Sequence, residues 1–542
     1  MMSHRPSCSL PLPEWPWILQ AALLLIFLLL IYGPLSALLI DTLGFIITDP
    51  DRALEILFLS SRRIGLLLQS IGLSAAVAGT VIAGGICAGS LIWQWRTGIG
   101  RYIFWAALLL IPLPLTVHAL TWSTLLASAG ILPGLLAPQQ SVHPWLISWL
   151  VESIAFLPLG ICLSTLAFEL VDPDRIEAAR VLCPDPRVFS RIVLPLASPL
   201  LFAGAGFLFV FCLIDYTIPS IYAANVYPFE IFAEFSTSYL PAAAFLLALP
   251  LLVVTVALVL LSQRPLKSVI QDSMWTRREW QPEFLLPGWF VAAQRAALGI
   301  FFLQAVLVIA VLVVLAGTSA DLATTLLLAG PDSLTTVAVC LGATALSLPI
   351  ALALASRLVE KKRISNAWWI AATIPLAIPP PLIGISMIGF WNTPGDISLF
   401  GTLAMPVFAV MFRFLPLAAL IIAAQLRAVN PLLLDAASIF GRSRVTNFLT
   451  VYLPLILPGI CIAAAGVFAF AIGELGATLL VIPPGHSTLT IRLYNYLHYG
   501  SSGSVAALGL MMTGIFLAIV STGFLLVRRG LRTSRIHGDK PA

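Results

Sequence analysis

The sequence predicts an all-α polytopic membrane protein with about twelve transmembrane helices, arranged as two parallel six-helix repeats. Three observations carry that reading. The chain is 60% hydrophobic and 10% charged over 542 residues, too apolar for a soluble globular protein of that size. Apolar runs of about twenty residues recur along its length, which is what a helix needs to cross a bilayer. A polar, basic stretch between two such runs occurs twice, and a long internal repeat outranks any local motif in deciding architecture.

The elements follow in order. Residues 1–16 are short and polar, and Trp15 and Trp17 flank the first apolar run, roughly 17–40. That run is too long for a cleaved signal core, so it is read as a retained span. Residues 41–65 read as an extracytoplasmic loop with Asp41, Asp49, Asp51 and Glu55. Further spans are expected at 66–93, 102–128, 147–169, 196–222 and 241–262, with Glu230 and Glu234 in an outer loop. The polar insertion 263–294 divides the halves. Six more spans follow at 295–316, 332–356, 367–390, 402–425, 456–482 and 504–527. The expected domains are therefore 1–262, a cytoplasmic linker 263–294, 295–527, and a basic tail 528–542.

Charge placement orients this arrangement. With both termini cytoplasmic, only Arg52, Arg62, Arg63 and Arg492 fall outside, and Arg413 falls within a span. Lys and Arg collect in cytoplasmic loops. Both copies of the repeated stretch then face the cytoplasm, and the net charge of +5 reflects topology rather than nucleic-acid binding. The seven cysteines, at 8, 87, 162, 183, 212, 340 and 461, form no C-x-x-C pair. Neither a disulfide framework nor a zinc site is suggested.

The repeated stretch is Asn430–Pro454 and, earlier, Asp172–Pro195. An Asx-Pro pair starts each copy, a side-chain acceptor followed by a residue suited to the first helical position. Glu177-Ala178-Ala179 matches Asp435-Ala436-Ala437, and the preceding Phe156-Leu157-Pro158-Leu159 matches Phe414-Leu415-Pro416-Leu417. Leu432, Leu433, Ala436, Ala437, Ile439 and Phe440 give the second copy a broad apolar face, and Gly441 supplies a left-handed stop. Two readings stand: an amphipathic helix lying on the lipid surface or packing on its own protein, or a knob that docks into a groove on a soluble partner.

These loops resemble the EAA loops of binding-protein-dependent ABC importer permeases, in which E-A-A precedes a glycine and then a distal I-x-L-P. The second copy keeps Gly441 and Leu453-Pro454, with Asp435 for Glu and Val451 for Ile. The first keeps Glu177-Ala178-Ala179 and Leu194-Pro195, but has Cys183 for Gly and is one residue shorter before Leu-Pro. The resemblance spans about 60–527. It implies a fused permease whose halves together form the pathway, coupled through Glu177, Ala178, Ala179, Cys183, Asp435, Ala436, Ala437 and Gly441 to a separate dimeric cytoplasmic ATPase, and served by an extracytoplasmic substrate-binding protein. It also implies an inner-membrane, multi-pass location in the lipid bilayer. The chain has no G-x-x-x-x-G-K-[ST], so ATP hydrolysis is expected on the partner and no cofactor or enzyme activity here. Among such permeases it resembles the fused ferric-iron importers, with thiamine and phosphonate importers as near relatives; Glu474–Leu480 and Arg413–Leu417 carry that likeness.

Three ionisable positions lie within apolar runs. Glu474 sits in the eleventh span and the repeat sets Asp215 opposite it, while Arg413 in the tenth span matches Ala155. Intramembrane carboxylates are costly and often line a pathway, or they bond to Ser, Thr or backbone across helices. Arg413 is expected to pair with a carboxylate rather than to snorkel to an interface. Tyr494, Tyr496, Tyr499, His486 and His498 near an outer loop read as interface anchors rather than a metal site. An ion-driven secondary carrier with two parallel halves is the alternative; it has no need of paired docking knobs.

Overall fold

The computed structural model describes residues 17–58, 60–95, 98–111, 113–128, 144–272, 283–317, 322–360, 365–392, 399–429, 433, 444–498 and 502–538. Among them there are helices and no strand. The first half runs α1 (Ile18–Thr48), α2 (Pro50–Leu57), α3 (Ser61–Gln94), α4 (Ile99–Leu110), α5 (Leu115–Ser128), α6 (Pro144–Glu169), α7 (Pro173–Arg180), α8 (Leu194–Ile214), α9 (Thr217–Ile221), α10 (Tyr227–Ser238) and α11 (Pro241–Asp272). The second runs α12 (Gly288–Gly317), α13 (Leu322–Leu328), α14 (Gly330–Val359), α15 (Ser365–Thr373), α16 (Pro380–Trp391), α17 (Ala404–Ala428), α18 (Leu453–Ile472), α19 (Thr478–Val481), α20 (Leu489–His498) and α21 (Ser502–Gly538). Ten helices among the described residues are long and apolar enough to cross a membrane, or up to twelve if each of two bent pairs is one span.

The bent pairs are where the structure departs from the expected straight spans 102–128 and 367–390. Ile99–Leu110 and Leu115–Leu126 meet at 97°, and Ser365–Ala377 and Pro380–Trp391 at 105°. Proline is the cause: it lacks an N–H and clashes with the preceding turn. Pro114 precedes α5, and Pro379-Pro380-Pro381 opens α16. Broken backbone is tolerated at membrane depth only where protein covers it; Leu382, Ile383, Ile385 and Met387 of α16 are fully buried.

Other boundaries also move. The first helix continues past residue 40 to Thr48, because a single Asp41 does not stop a helix, whereas Asp49-Pro50 starts a new one: the Asp49 carboxylate accepts from the Arg52 N–H at 3.3 Å. Glu230 and Glu234 lie in helix α10 rather than in a loop. Helix α11 runs on to Asp272 and α12 begins at Gly288, so both ends of the stretch 263–294 are helical.

Two-fold repetition is visible bond by bond. In each half a hydroxyl on the second spanning helix accepts the first N–H of the far-side helix: Ser70 from Tyr227 at 2.9 Å, and Thr336 from Leu489 at 2.8 Å. A π-helical turn precedes Leu-Pro in both copies, at Phe189–Val193 and Phe448–Tyr452. Proline 195 and proline 454 remove one ladder donor each, and the wide turn accommodates the gap.

The halves exchange their first helices. Helix α1 packs on α14 and α16 of the second half, and α12 packs on α3 of the first. Each exchange is pinned by a glutamine: Gln20 Nε2 donates to Ser356 Oγ at 2.6 Å, and Gln294 Nε2 donates to Ser90 Oγ at 2.9 Å. The sequence around each anchor has one spelling, L-P-x-W-x-x-x-x-Q, at 12–20 and 286–294. Within the first half, α3 and α6 cross where glycines let backbones touch; a Cβ on Gly85 would stand 2.4 Å from the Gly160 carbonyl oxygen. Small residues replace the absent hydrophobic drive between helices in lipid.

Candidate functional site

Two regions bring the sequence-predicted residues together. The first is the loop between α6 and α8. The Asp172 carboxylate accepts from the Asp174 N–H at 3.0 Å and Pro173 takes the first helical position, which starts α7. Ile176 is fully buried in a cluster with Trp93, Phe168, Val188, Phe189 and Phe284, and Ala179 packs beside it. Glu177, Ala178 and Cys183 are exposed. Beyond the helix, Val181 and Leu182 are each 84% exposed, an apolar tip with nothing over it among the described residues. The chain turns here with Leu182 and Cys183 N–H both donating to the Ala179 carbonyl at 3.0 Å. Cys183 is not among the residues with positive φ. This loop therefore needs no glycine at its stop, which explains how Cys183 is accommodated. In the second loop, Asp435, Ala436, Ala437 and Gly441 lie outside the described residues; Leu433 is half exposed.

The second region lies at the ends of α8 and α18 remote from those loops. Asp215 follows the last turn of α8, and its carboxylate accepts from the Thr217 N–H at 3.1 Å and the Thr217 hydroxyl at 2.8 Å. It thereby starts α9. Glu474 follows α18, and its Oε1 accepts from the Ala477 N–H at 2.9 Å just before α19. The repeat-related carboxylates thus do matching work at the head of a short helix. Arg413 of α17 pairs with the other oxygen of Glu474. Its guanidinium also stands 5.3 Å from the Phe414 ring and 5.8 Å from the Phe211 ring of the other half.

Phe211 and Phe470 occupy equivalent positions, four residues before Asp215 and Glu474, and their rings touch at 6.0 Å. Equivalent residues can meet only on the axis relating the halves, so this contact marks it. Phe207 on one side, at 4.6 Å from Phe211, and Phe414 on the other, stacked on Phe470 at 5.6 Å, complete an aromatic cluster. Helices α10 and α20 are latched beside it with reversed polarity. Arg62 of α3 bonds Glu230 of α10 at 2.6 and 3.0 Å, whereas Asp332 of α14 pairs with Arg492 of α20.

Sequence reading missed one carboxylate. Glu152 on α6 is fully buried, and neither of its oxygens has a hydrogen-bond partner among the described residues. The signal was present: it is the one acidic residue inside the apolar run 145–168, one turn before the matched Phe156-Leu157-Pro158-Leu159. Tyr494 and Tyr496 lie on α20, and no group of three His, Cys, Asp or Glu among the described residues could hold a metal ion.

Ten to twelve candidate membrane-spanning helices among the described residues, in two like halves, define a polytopic all-α membrane protein. Comparison with known proteins gives the family. Residues 347–532 match the binding-protein-dependent transport system inner membrane component. The chain is 30% identical over 164 residues to the molybdenum transport permease ModB of Escherichia coli, 27% of this chain and 70% of that one. It is 26% identical over 147 residues to a 2-aminoethylphosphonate transport permease, PhnV, of Salmonella typhimurium, 27% of this chain and 55% of that one. It is 28% identical over 142 residues to a Fe(3+)-transport permease of Haemophilus influenzae, 26% of this chain and 28% of that one. The chain belongs to the binding-protein-dependent transport system inner membrane components, and is a multi-pass membrane protein. It spans just over half the length of the phosphonate permeases it matches.

Proposed function

We propose that this chain is the permease subunit of an ATP-driven importer, that its halves 1–262 and 295–527 together form the translocation path, and that its cargo is ferric iron. The transport role rests on the family and on the bare apolar tip Val181–Leu182, aimed away from its own cluster beside the exposed Glu177 and Ala178. The partner is a cytoplasmic ATPase, acting as a dimer because there are two loops, with Glu177, Ala178, Ala179, Cys183 and the second set Asp435, Ala436, Ala437 and Gly441 as the contacts. A substrate-binding protein on the other face delivers the cargo.

The choice of cargo rests on chain architecture. The 142 residues matched in the ferric-iron permease are 28% of it, so that chain is about as long as this one. The 164 and 147 residues matched in the molybdenum and phosphonate permeases are 70% and 55% of them, so those chains are about half as long. Of these three relatives, the iron permease alone approaches this chain in length.

In this reading the Phe211–Phe470 contact is the closed end of the path. Helices α8 and α18 carry those rings and begin directly after the two loops, so a pull on the loops is delivered to the aromatic cluster through two rigid helices. Arg413, Glu474 and Asp215 border the cluster and set its geometry. Uptake of radiolabelled ferric iron, in strains lacking this chain or a candidate partner ATPase, tests the proposal. Loss of uptake in both supports it. Unchanged iron uptake with lost molybdate or 2-aminoethylphosphonate uptake would replace the cargo. Loss with the permease alone, abolished by an uncoupler, would replace the energy source.

A further inference from the structure

The loop proposed above to couple to the ATPase is held by four residues of the linker, Glu283–Leu286. Arg180 at the end of α7 donates to the Glu283 carbonyl oxygen and lies 4.4 Å over the Phe284 ring. Arg180 also pairs with Asp185 at 3.1 Å, and the second oxygen of Asp185 accepts from the Leu285 N–H at 2.8 Å. Phe284 is 8% exposed and reaches across to α3. Its ring stacks on Trp93 at 5.8 Å and meets Phe189 edge-on at 6.0 Å, while its N–H donates to Gln94 Oε1 at 3.4 Å. Directly after it, Pro287 and Gly288 start α12, whose Phe290 packs on Phe189 at 5.4 Å.

We infer that Glu283–Leu286 is a positioning strap that joins the first coupling loop to the first helix of the opposite half. The inference rests on the coupling role proposed above. Four backbone or side-chain bonds and one aromatic wedge bind α7, the end of α3 and the start of α12 into one block, while Val181 and Leu182 stay free on its outer side. A displacement of the tip is then carried in two directions. It passes through the Phe189–Val193 turn to α8 in its own half, and through the strap to α12, which starts the second half yet packs on the first. Asp185 and Phe284 are the positioning residues: the first orients Arg180 and the Leu285 amide together, the second fills the space between α3 and the loop.

Hydrogen exchange on the full chain in nanodiscs tests this in two arms. With the chain alone, Phe284→Ala and Asp185→Ala are each expected to speed exchange at Ile176–Arg180 by about tenfold while α3 and α8 stay protected. Unchanged exchange in both variants overturns the strap, and Phe284→Leu should restore most of the protection. In the second arm the partner ATPase is bound and trapped with ATP and vanadate. In the wild type, exchange changes at α7 and at Gly288–Gln294 together. In Phe284→Ala the change at α7 persists and that at Gly288–Gln294 is lost; an equal response in α12 would refute transmission through the strap. If wild-type α7 does not respond to the trapped ATPase, the coupling role fails while the first arm still decides the strap.

Discussion

Replacing Arg413 with Met should destabilise this protein by several kcal/mol, of the order of a broken buried ion pair, about 3–5 kcal/mol. Glu474 is 2% exposed at its side chain and Arg413 14%. One Glu474 oxygen is held by the Ala477 N–H, and the other faces Arg413, so the variant leaves half of a buried carboxylate without a partner. Breaking a buried pair in this way costs about 3–5 kcal/mol, and the loss of the guanidinium from the Phe211 and Phe414 faces adds about 0.5–1 kcal/mol. Glu474→Gln should cost less, because Arg413 keeps both rings and some access to solvent. The double variant should recover at least about 2 kcal/mol of the sum, since neither charge is then stranded. The assay is a double-mutant cycle on unfolding of the purified chain in detergent, followed by tryptophan fluorescence. Additive losses, or a single-variant cost below about 1 kcal/mol, would refute a buried pair and leave Arg413 as a side chain extended to an interface.

Three further outcomes follow from particular contacts. Gly85→Val should prevent close packing of α3 on α6, because even a Cβ would stand 2.4 Å from the Gly160 carbonyl oxygen, whereas Gly79→Val, with nothing within 4 Å, should fold normally; overpacking costs about 1–3 kcal/mol or more, and size-exclusion profiles of the two variants in detergent check it. Leu182→Asp should leave insertion and thermal stability unchanged, given 84% exposure, while copurification of the ATPase falls by about tenfold or more as a charge enters an apolar groove; undiminished copurification would remove the tip from the docking surface. Glu152→Met should raise stability by about 1–3 kcal/mol, because a buried carboxyl without hydrogen bonds is replaced by an apolar group of similar size; a less stable variant would show that Glu152 has work to do in the resting protein.

Hydropathy, the duplicated Asx-Pro, E/D-A-A and Leu-Pro signals and the basic loops were enough to read an all-α membrane protein of two like halves. They also set Asp215 opposite Glu474. The reason is that these features are local: a run of apolar residues reports on the solvent a helix prefers, and a cap reports on its own first turn. The bends at Pro114 and Pro379–Pro381 were legible in principle, since proline acts on its own turn, but the pattern of apolar residues runs straight through both sites and hides them. Tertiary structure decided what depends on two distant residues at once. Gln20 meets Ser356 and Gln294 meets Ser90 only because the first helices change halves, and in lipid no difference in hydropathy favours one apolar neighbour over another. Phe211 meets Phe470 only because an axis passes between them, and Phe284 meets Trp93 only because the linker turns back over a loop a hundred residues earlier. Such contacts are chosen by shape and by hydrogen-bond pairing across the fold, which a linear pattern of apolar and polar residues does not encode.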